Sequence, residues 1–349
     1  MTRRFAVLGV AAVLFAVPYA APLSAQSAPE RLFYYVDNET SYASFVKHVD
    51  QITVVAPQVY TVDSLGTVWG SLDPRVMTLA KQHNVKVMPL VVDEGFNQPA
   101  LRRLLADTAA RARATRTLAS LCKDNAVWGV QFDIENVNMQ DRDRLTAWYT
   151  ETANALHAEG CKISIAVVHR VAERPGPTAY SRFLYENWRD GYDLAALGRV
   201  GDFVSLMSYD QHTRRTPPGP IAGLPWMRET VEYALHFVPP EKLSLGIPLW
   251  SEHWFTREDP SIPEHARSWS QNVSWSWGSG LAERHSAKLI WDPVQGATYA
   301  YYPNGGTYEW LFLDDVRSFN AELGLMREKK LRGFSAWVLG PEDERIWRK

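Results

Sequence analysis

Residues 127–137 read VWGVQFDIENV, an apolar run that ends in two carboxylates two positions apart. If the run is a β-strand its side chains alternate, so Gly129, Gln131, Asp133 and Glu135 share one face while Val130, Phe132 and Ile134 share the other. The polar face lines a cavity and the apolar face meets a packed layer. A strand covered on both sides in this way suits a parallel barrel, in which the C-terminal ends of the strands carry the chemistry. Glu135, the last of the series, is expected at that rim.

The rest of the chain repeats the unit. Apolar runs suited to strands occur at 32–36, 51–56, 85–91, 127–134, 162–168, 203–209, 243–248 and 333–338, and helical patterns at 73–83, 99–122, 142–159 and 226–237 fall between them. Asp73 followed by Pro74 reads as an N-cap with proline at the first helical position. This rhythm predicts an α/β chain folded as a (β/α)8 TIM barrel. Between about 251 and 310 it breaks into short aromatic segments, with Asn304–Gly305 as a hairpin signal. A small α+β insertion between the seventh and eighth strands is the expected result.

The N-terminus has Arg3 and Arg4, an apolar run over 5–17, then Pro18, Pro22 and the small residues Ser24 and Ala25. This is the pattern of a secretory signal peptide over residues 1–25, too short for comfortable membrane spanning. The expectation is an exported protein, periplasmic or extracellular, with no stable membrane insertion after cleavage and a catalytic unit over 26–349. A net charge of −2 argues against nucleic acid or another polyanion as the main partner. The 349 residues exceed the ~250 of a plain barrel, which leaves room for the insertion. Nothing points to more than a monomer.

Cys122 and Cys161 are the only cysteines. Cys122 ends the helical stretch before the fourth strand and Cys161 opens the fifth, so in a barrel both lie near the N-terminal face on adjacent units. A disulfide in an exported protein and two buried thiols are both open at this stage. Metal and cofactor signatures are absent: the chain has no HExxH, GxSxG, P-loop or GxGxxG, and His157, His212 and His236 lack ligand spacing.

Taken alone, a DxE on an apolar run serves structure as readily as chemistry. The spacing from Trp128 to Glu135 nevertheless resembles the DxxDxDxE signature of glycoside hydrolase family 18, the chitinases and related N-acetylglucosaminidases, with Trp128 and Gln131 in place of the first two aspartates. An amide at the second of these positions is similar to the branch that holds the spore cortex-fragment lytic glucosaminidases, as is YTVDSLGTVWG at 60–70. SLMSYD at 205–210 resembles the sixth-strand MxYD, GIPLW at 246–250 the seventh strand, and GFSAWVLG at 333–340 the eighth. YAYYPNGGTYEWLFLDDVRSF at 299–319 looks like the end of the family's insertion and the helix after it.

The resemblance implies roles residue by residue. Glu135 would be the catalytic acid/base, Asp133 its neighbouring aspartate and Tyr209 the group that aims the substrate's acetamido arm. Gln131, Met207, Asp210, Trp337, Tyr35 and Trp250 would surround the substrate, an N-acetylglucosamine glycan of peptidoglycan or chitin type, with Trp337 as the floor. The family is substrate-assisted, its nucleophile being the sugar's own 2-acetamido oxygen. Gln131, unable to ionise, would hold Asp133 by a hydrogen bond. No cofactor is implied. A glycan-binding barrel without catalysis is the competing reading, and retention of Glu135, Asp133 and Tyr209 speaks for the enzyme. Around this core, Trp275 and Trp277 alternate as on a strand face and either stack on glycan or pack the insertion. Trp250, His253 and Trp254 follow the seventh strand at the rim, where one of them should meet substrate, and His169 ends the fifth strand as scaffold or participant.

Overall fold

The computed structural model describes Thr2 and residues 28–259 and 262–348, so the leader expected over 1–25 lies outside the described residues except for Thr2. Eight strands form a closed parallel barrel: Glu30–Val36, Val54–Val62, a third in two pieces at Lys86–Val87 and Leu90–Asp93, then Gly129–Asp133, Lys162–Val168, Phe203–Met207, Leu243–Pro248 and Gly333–Trp337. The last pairs with the first in the register Glu30↔Gly333 to Phe33↔Ala336, which closes the ring.

Alternation along the strands builds two apolar layers. Leu32, Tyr34, Val54, Ala56, Met88, Leu90 and Phe203 fill the barrel interior. Phe33, Val55, Val130, Phe132 and Ile163 belong to the outer cluster, where the helices seal the opposite faces of the same strands. Both faces of each strand are therefore removed from water, the condition that favours parallel sheets. Among the described residues no helix is long and apolar enough to cross a membrane.

Two boundaries differ from the sequence reading. The second strand starts at Val54 because a 3-10 turn, Val49–Gln51, ends the preceding helix first. The single helix expected over 99–122 is two, Gln98–Ala106 and Thr108–Asp124. Asp107 between them leaves helical geometry (φ −94°, ψ 107°) and its carboxylate accepts the N–H groups of Ala109 and Ala110. A local cap of this kind competes successfully with continuation of the helix.

The chain between the seventh and eighth strands forms a second, antiparallel sheet of five strands, Ser251–Asp259, Ile262–Val273, Ile290–Asp292, Ala297–Asn304 and Thr307–Leu313. The helix Trp275–Arg284 packs on it through Leu281 and Ala282 against Ala300, Tyr302, Leu311 and Leu313. Gly305 and Gly306, both at positive φ, make the two-residue turn that pairs Asn304 with Thr307. Trp275 and Trp277 do not alternate on a strand: they occupy the first turn of that helix, where Ser274 accepts the Trp277 N–H at 3.1 Å. Helical spacing sends the rings apart, Trp275 beneath the Arg345 guanidinium at 4.5 Å and Trp277 beside His253 at 5.4 Å. At the opposite end of the barrel the Sγ atoms of Cys122 and Cys161 are 2.05 Å apart, a disulfide.

Candidate active site

The fourth strand delivers the acids as its pattern requires. Gly129 lies so close to the fifth strand that an added Cβ would meet the Lys162 carbonyl oxygen at 2.3 Å. Outward, Phe132 packs on Trp148 and Tyr149 of the helix Arg142–Ala158, at 4.6 and 5.5 Å between ring centres. Inward, Asp133 is buried beneath the cleft and Glu135 stands just past the strand end, partly open to it. The peptide unit that joins Ile134 to Glu135 is pinned at both of its polar groups, the Glu135 N–H donating to Asp93 Oδ1 at 3.2 Å and the Ile134 carbonyl accepting from the Tyr192 hydroxyl at 2.8 Å.

Asp133, Glu135, Met207, Tyr209, Asp210, Trp250 and Trp337 converge on one cavity of about 180 Å³ at the C-terminal end of the barrel. Tyr209 and Trp250 meet edge to face at 5.3 Å. Of the three residues after the seventh strand, Trp250 is thus the one at the cleft. His253 instead faces Glu309 at 2.7 Å inside the insertion, and Trp254 is fully buried. His169 has Nδ1 3.2 Å from the Met207 carbonyl oxygen and Nε2 3.0 Å from the Arg189 guanidinium. Burial first and the Arg189 charge second push its pKa down to about 3, so it is neutral.

Two substrate-side expectations are corrected. Tyr35 points away from the cleft into the layer between strands and helices, and its neighbour Tyr34 lines the cavity, 5.2 Å from the Trp337 ring. The run LFYYV is apolar on both faces, so its pattern carries no signal to tell the two tyrosines apart. Gln131 lies below the cavity, its amide donating to Ser164 Oγ at 2.8 Å and Ser205 Oγ at 3.1 Å, and it does not hold Asp133. The polar side chain that favours the Asp133 carboxylate is instead Gln58 on the second strand.

Gln58, Phe96 and Asn272 also line the cavity, and none carries a motif that marks it in sequence. Asn272 comes from the insertion, which therefore forms part of the wall. Asp93 is a fourth residue without a sequence signal: it ends the third strand, is buried, and leaves Oδ2 without a partner.

Burial among like charges raises every carboxyl group here. Burial and then the Asp93 charge lift Asp133 to about 7, against the effect of the Gln58 side chain. Glu135 is held well above the ordinary glutamate range by burial, then by Asp133, Asp210 and Asp93. Burial lifts Asp210 to about 6 and Asp93 to about 6, in the latter case against hydrogen bonds from backbone N–H groups. The Tyr209 hydroxyl, raised by burial and the surrounding acids, stays protonated as a donor. The result is a glutamic acid whose proton is held more firmly than in water, beside a buried aspartate raised by the same causes, with the Trp337 ring in the same wall. Among the described residues no group of histidines, cysteines and acids is placed to hold a metal ion.

Residues 31–342 match the model of glycosyl hydrolases family 18. The chain is 22% identical to the uncharacterized glycosylase YvbX of Bacillus subtilis over 98% of its own length and 95% of that protein. It is 25% identical to the cortical fragment-lytic enzyme of Bacillus subtilis over 77% of the chain and 60% of that enzyme. Among solved structures, the chitinase of Chromobacterium violaceum superposes with a TM-score of 0.81 at 25% identity, covering 92% of this chain and 97% of the chitinase.

Proposed function

The chain belongs to glycosyl hydrolases family 18, and from that premise we propose that it is an exported, retaining hydrolase of β-linked N-acetylglucosamine glycans that works by substrate assistance, with Glu135 as general acid/base. The observation that carries this reading is the convergence of Glu135, buried Asp133, Tyr209 and Trp337 on one cavity.

In that cavity Glu135 protonates the glycosidic oxygen as the substrate's acetamido oxygen attacks the anomeric carbon, and an oxazolinium ion forms. Glu135, now a carboxylate, takes a proton from the water that opens the ring, which gives retention. Asp133 accepts the acetamido N–H and offsets the positive charge of the ring, while the Tyr209 hydroxyl donates to the acetamido oxygen and aims it. Gln58 favours the Asp133 carboxylate. Trp337 lies under the reacting sugar. Peptidoglycan is favoured over chitin by the likeness to the cortical fragment-lytic enzyme, and the leader pattern over 1–25 supports export.

Turnover of muropeptides and chitin oligomers by wild type and Glu135→Gln tests the proposal. The amide keeps the shape and has no proton to give, so the loss should reach the ~10²–10⁴-fold of a general acid without a fall in melting temperature. Wild-type turnover in the variant refutes the role of Glu135. A wild-type protein that binds these glycans and cleaves none of them is a lectin.

A further inference from the structure

A second cavity, of about 420 Å³, lies on the other side of the acid. It shares Glu135, Met207, Tyr209 and Asp210 with the first, whereas Tyr34, Asp133 and Trp337 line the first only. For a glycan cleaved at Glu135 with its acetamido sugar over Trp337, this second space adjoins the acid and is open to the released portion.

The wall has an unusual composition for a site that takes neutral sugar. Tyr180, Leu184 and Trp188, from the segment after the fifth strand, form an apolar side suited to a pyranose face. Arg189, and Arg214 and Arg215 from the segment after the sixth strand, add cationic groups. Among the described residues none of these arginines makes an ion pair. The acids near them are engaged elsewhere, Asp190 by Arg170 and Arg142, and Glu173 by Arg170 and the Tyr233 hydroxyl. Arg189 is partly buried with neutral His169 as its hydrogen-bond partner, a desolvated cation without a counter-charge. Asp210 and Glu135 line the same cavity, and neither forms an ion pair with it among the described residues. Uncompensated charge beside a cleft is costly in the free protein, and an anionic ligand offsets that cost.

We infer that this second cavity is the leaving-group subsite and that it selects a glycan whose released sugar carries a carboxylate, bound by Arg189, Arg214 and Arg215. The inference rests on the hydrolase reading above and narrows it: a lactyl ether on the sugar, or a peptide attached through that ether, supplies such an anion, and chitin does not.

The test compares kcat/KM of wild type on four tetrasaccharides. They are a neutral chitin oligomer, an alternating N-acetylglucosamine and N-acetylmuramic acid oligomer, the same oligomer with its lactyl carboxylates amidated, and one bearing stem peptides. The expected result is that the acidic oligomer is preferred over its amidated form by at least about tenfold, the effect of one hydrogen bond to a charged group. That ratio should fall towards one in Arg214→Ser/Arg215→Ser, whose exposed positions spare the fold, and in Arg189→Gln. Preference for the peptide-bearing oligomer over the peptide-free acid assigns the anion to the peptide, and the reverse assigns it to the lactyl group. Equal turnover of acidic and amidated oligomers by wild type overturns the inference and leaves the hydrolase reading standing. No turnover of any oligomer overturns both.

Discussion

Phe334 and Trp337 lie three residues apart on the eighth strand and face opposite ways, so truncating each to alanine separates a packing role from a substrate role. Phe334 is buried in the outer layer, edge-on to Phe33 at 5.4 Å and to Phe319 at 5.7 Å. Its truncation should cost about 3–5 kcal/mol through lost transfer free energy and the cavity left behind, which includes those ring contacts. At about 2 °C per kcal/mol for a chain of this size, the melting temperature should fall by roughly 6–10 °C. Trp337 is only partly buried, with one face on Tyr34 and the other at the cleft, so its loss vacates less enclosed volume. Its effect should appear in turnover, where displacement of the reacting sugar by ~1 Å costs on the order of 10²-fold. Differential scanning calorimetry and initial rates, normalised to folded protein by circular dichroism, read the two effects separately. If Trp337→Ala loses several degrees and keeps its activity per folded molecule, the ring is core and the assignment of the cleft is wrong.

Removing the Cys122–Cys161 bridge with the double alanine variant should cost about 4 kcal/mol, the chain-entropy value for the 39-residue separation, and thiol titration of denatured, unreduced protein should find no free thiol. A thiazoline analogue of N-acetylglucosamine should inhibit competitively, and plain β-glucosides should not react; comparable hydrolysis of glucosides contradicts an acetamido nucleophile. Asp93→Asn should move the alkaline limb of kcat/KM to lower pH, because its charge helps to raise Glu135 and removing it makes the proton easier to lose. The same variant should be stabilised at pH 7 and not at pH 3. A carboxyl raised in the folded state to about 6 favours folding below its unfolded value, and that contribution is lost as pH rises through 6. The gain is at most about 3 kcal/mol, less whatever the new amide N–H group loses by burial.

The barrel was legible because its physics is local: each strand is a short run buried on both faces, and each helix between them carries its own stripe or cap. The acids of the fourth strand were legible for the same reason, since alternation alone puts Asp133 and Glu135 on one face. Where a strand is apolar throughout, as at Leu32–Val36, alternation has nothing to mark, and the choice of Tyr35 over Tyr34 failed there. Trp275 and Trp277 were misread because two-residue spacing suggests a strand while the Ser274 cap, a stronger local signal, starts a helix. Gln58, Asp93, Asn272 and the three arginines of the second cavity come from five different segments. Only closure of the barrel and the folding of the insertion against it bring them to the acid.

Gln131 shows how a departure in one strand is absorbed by its neighbours. An ionisable residue at that position could share a proton with Asp133, and the amide cannot; in this structure it turns instead to Ser164 and Ser205, within a chain of hydroxyls that continues through Ser335 to Ser244. The third strand pairs Val92 with Asp133, so that Asp93, the next residue along, stands beside the acids. Its charge is the second cause, after burial, of the raised Asp133, and its Oδ1 also receives the Glu135 N–H. A carboxyl group near Asp133 is thus retained, but it arrives from the adjacent strand and is tied to the backbone of Glu135. Protonation of Asp93 removes a negative charge that raises both Asp133 and Glu135, and so makes both protons easier to lose. The proton affinity of the fourth strand's acids therefore depends in part on the third strand, through a contact that neither strand's sequence displays.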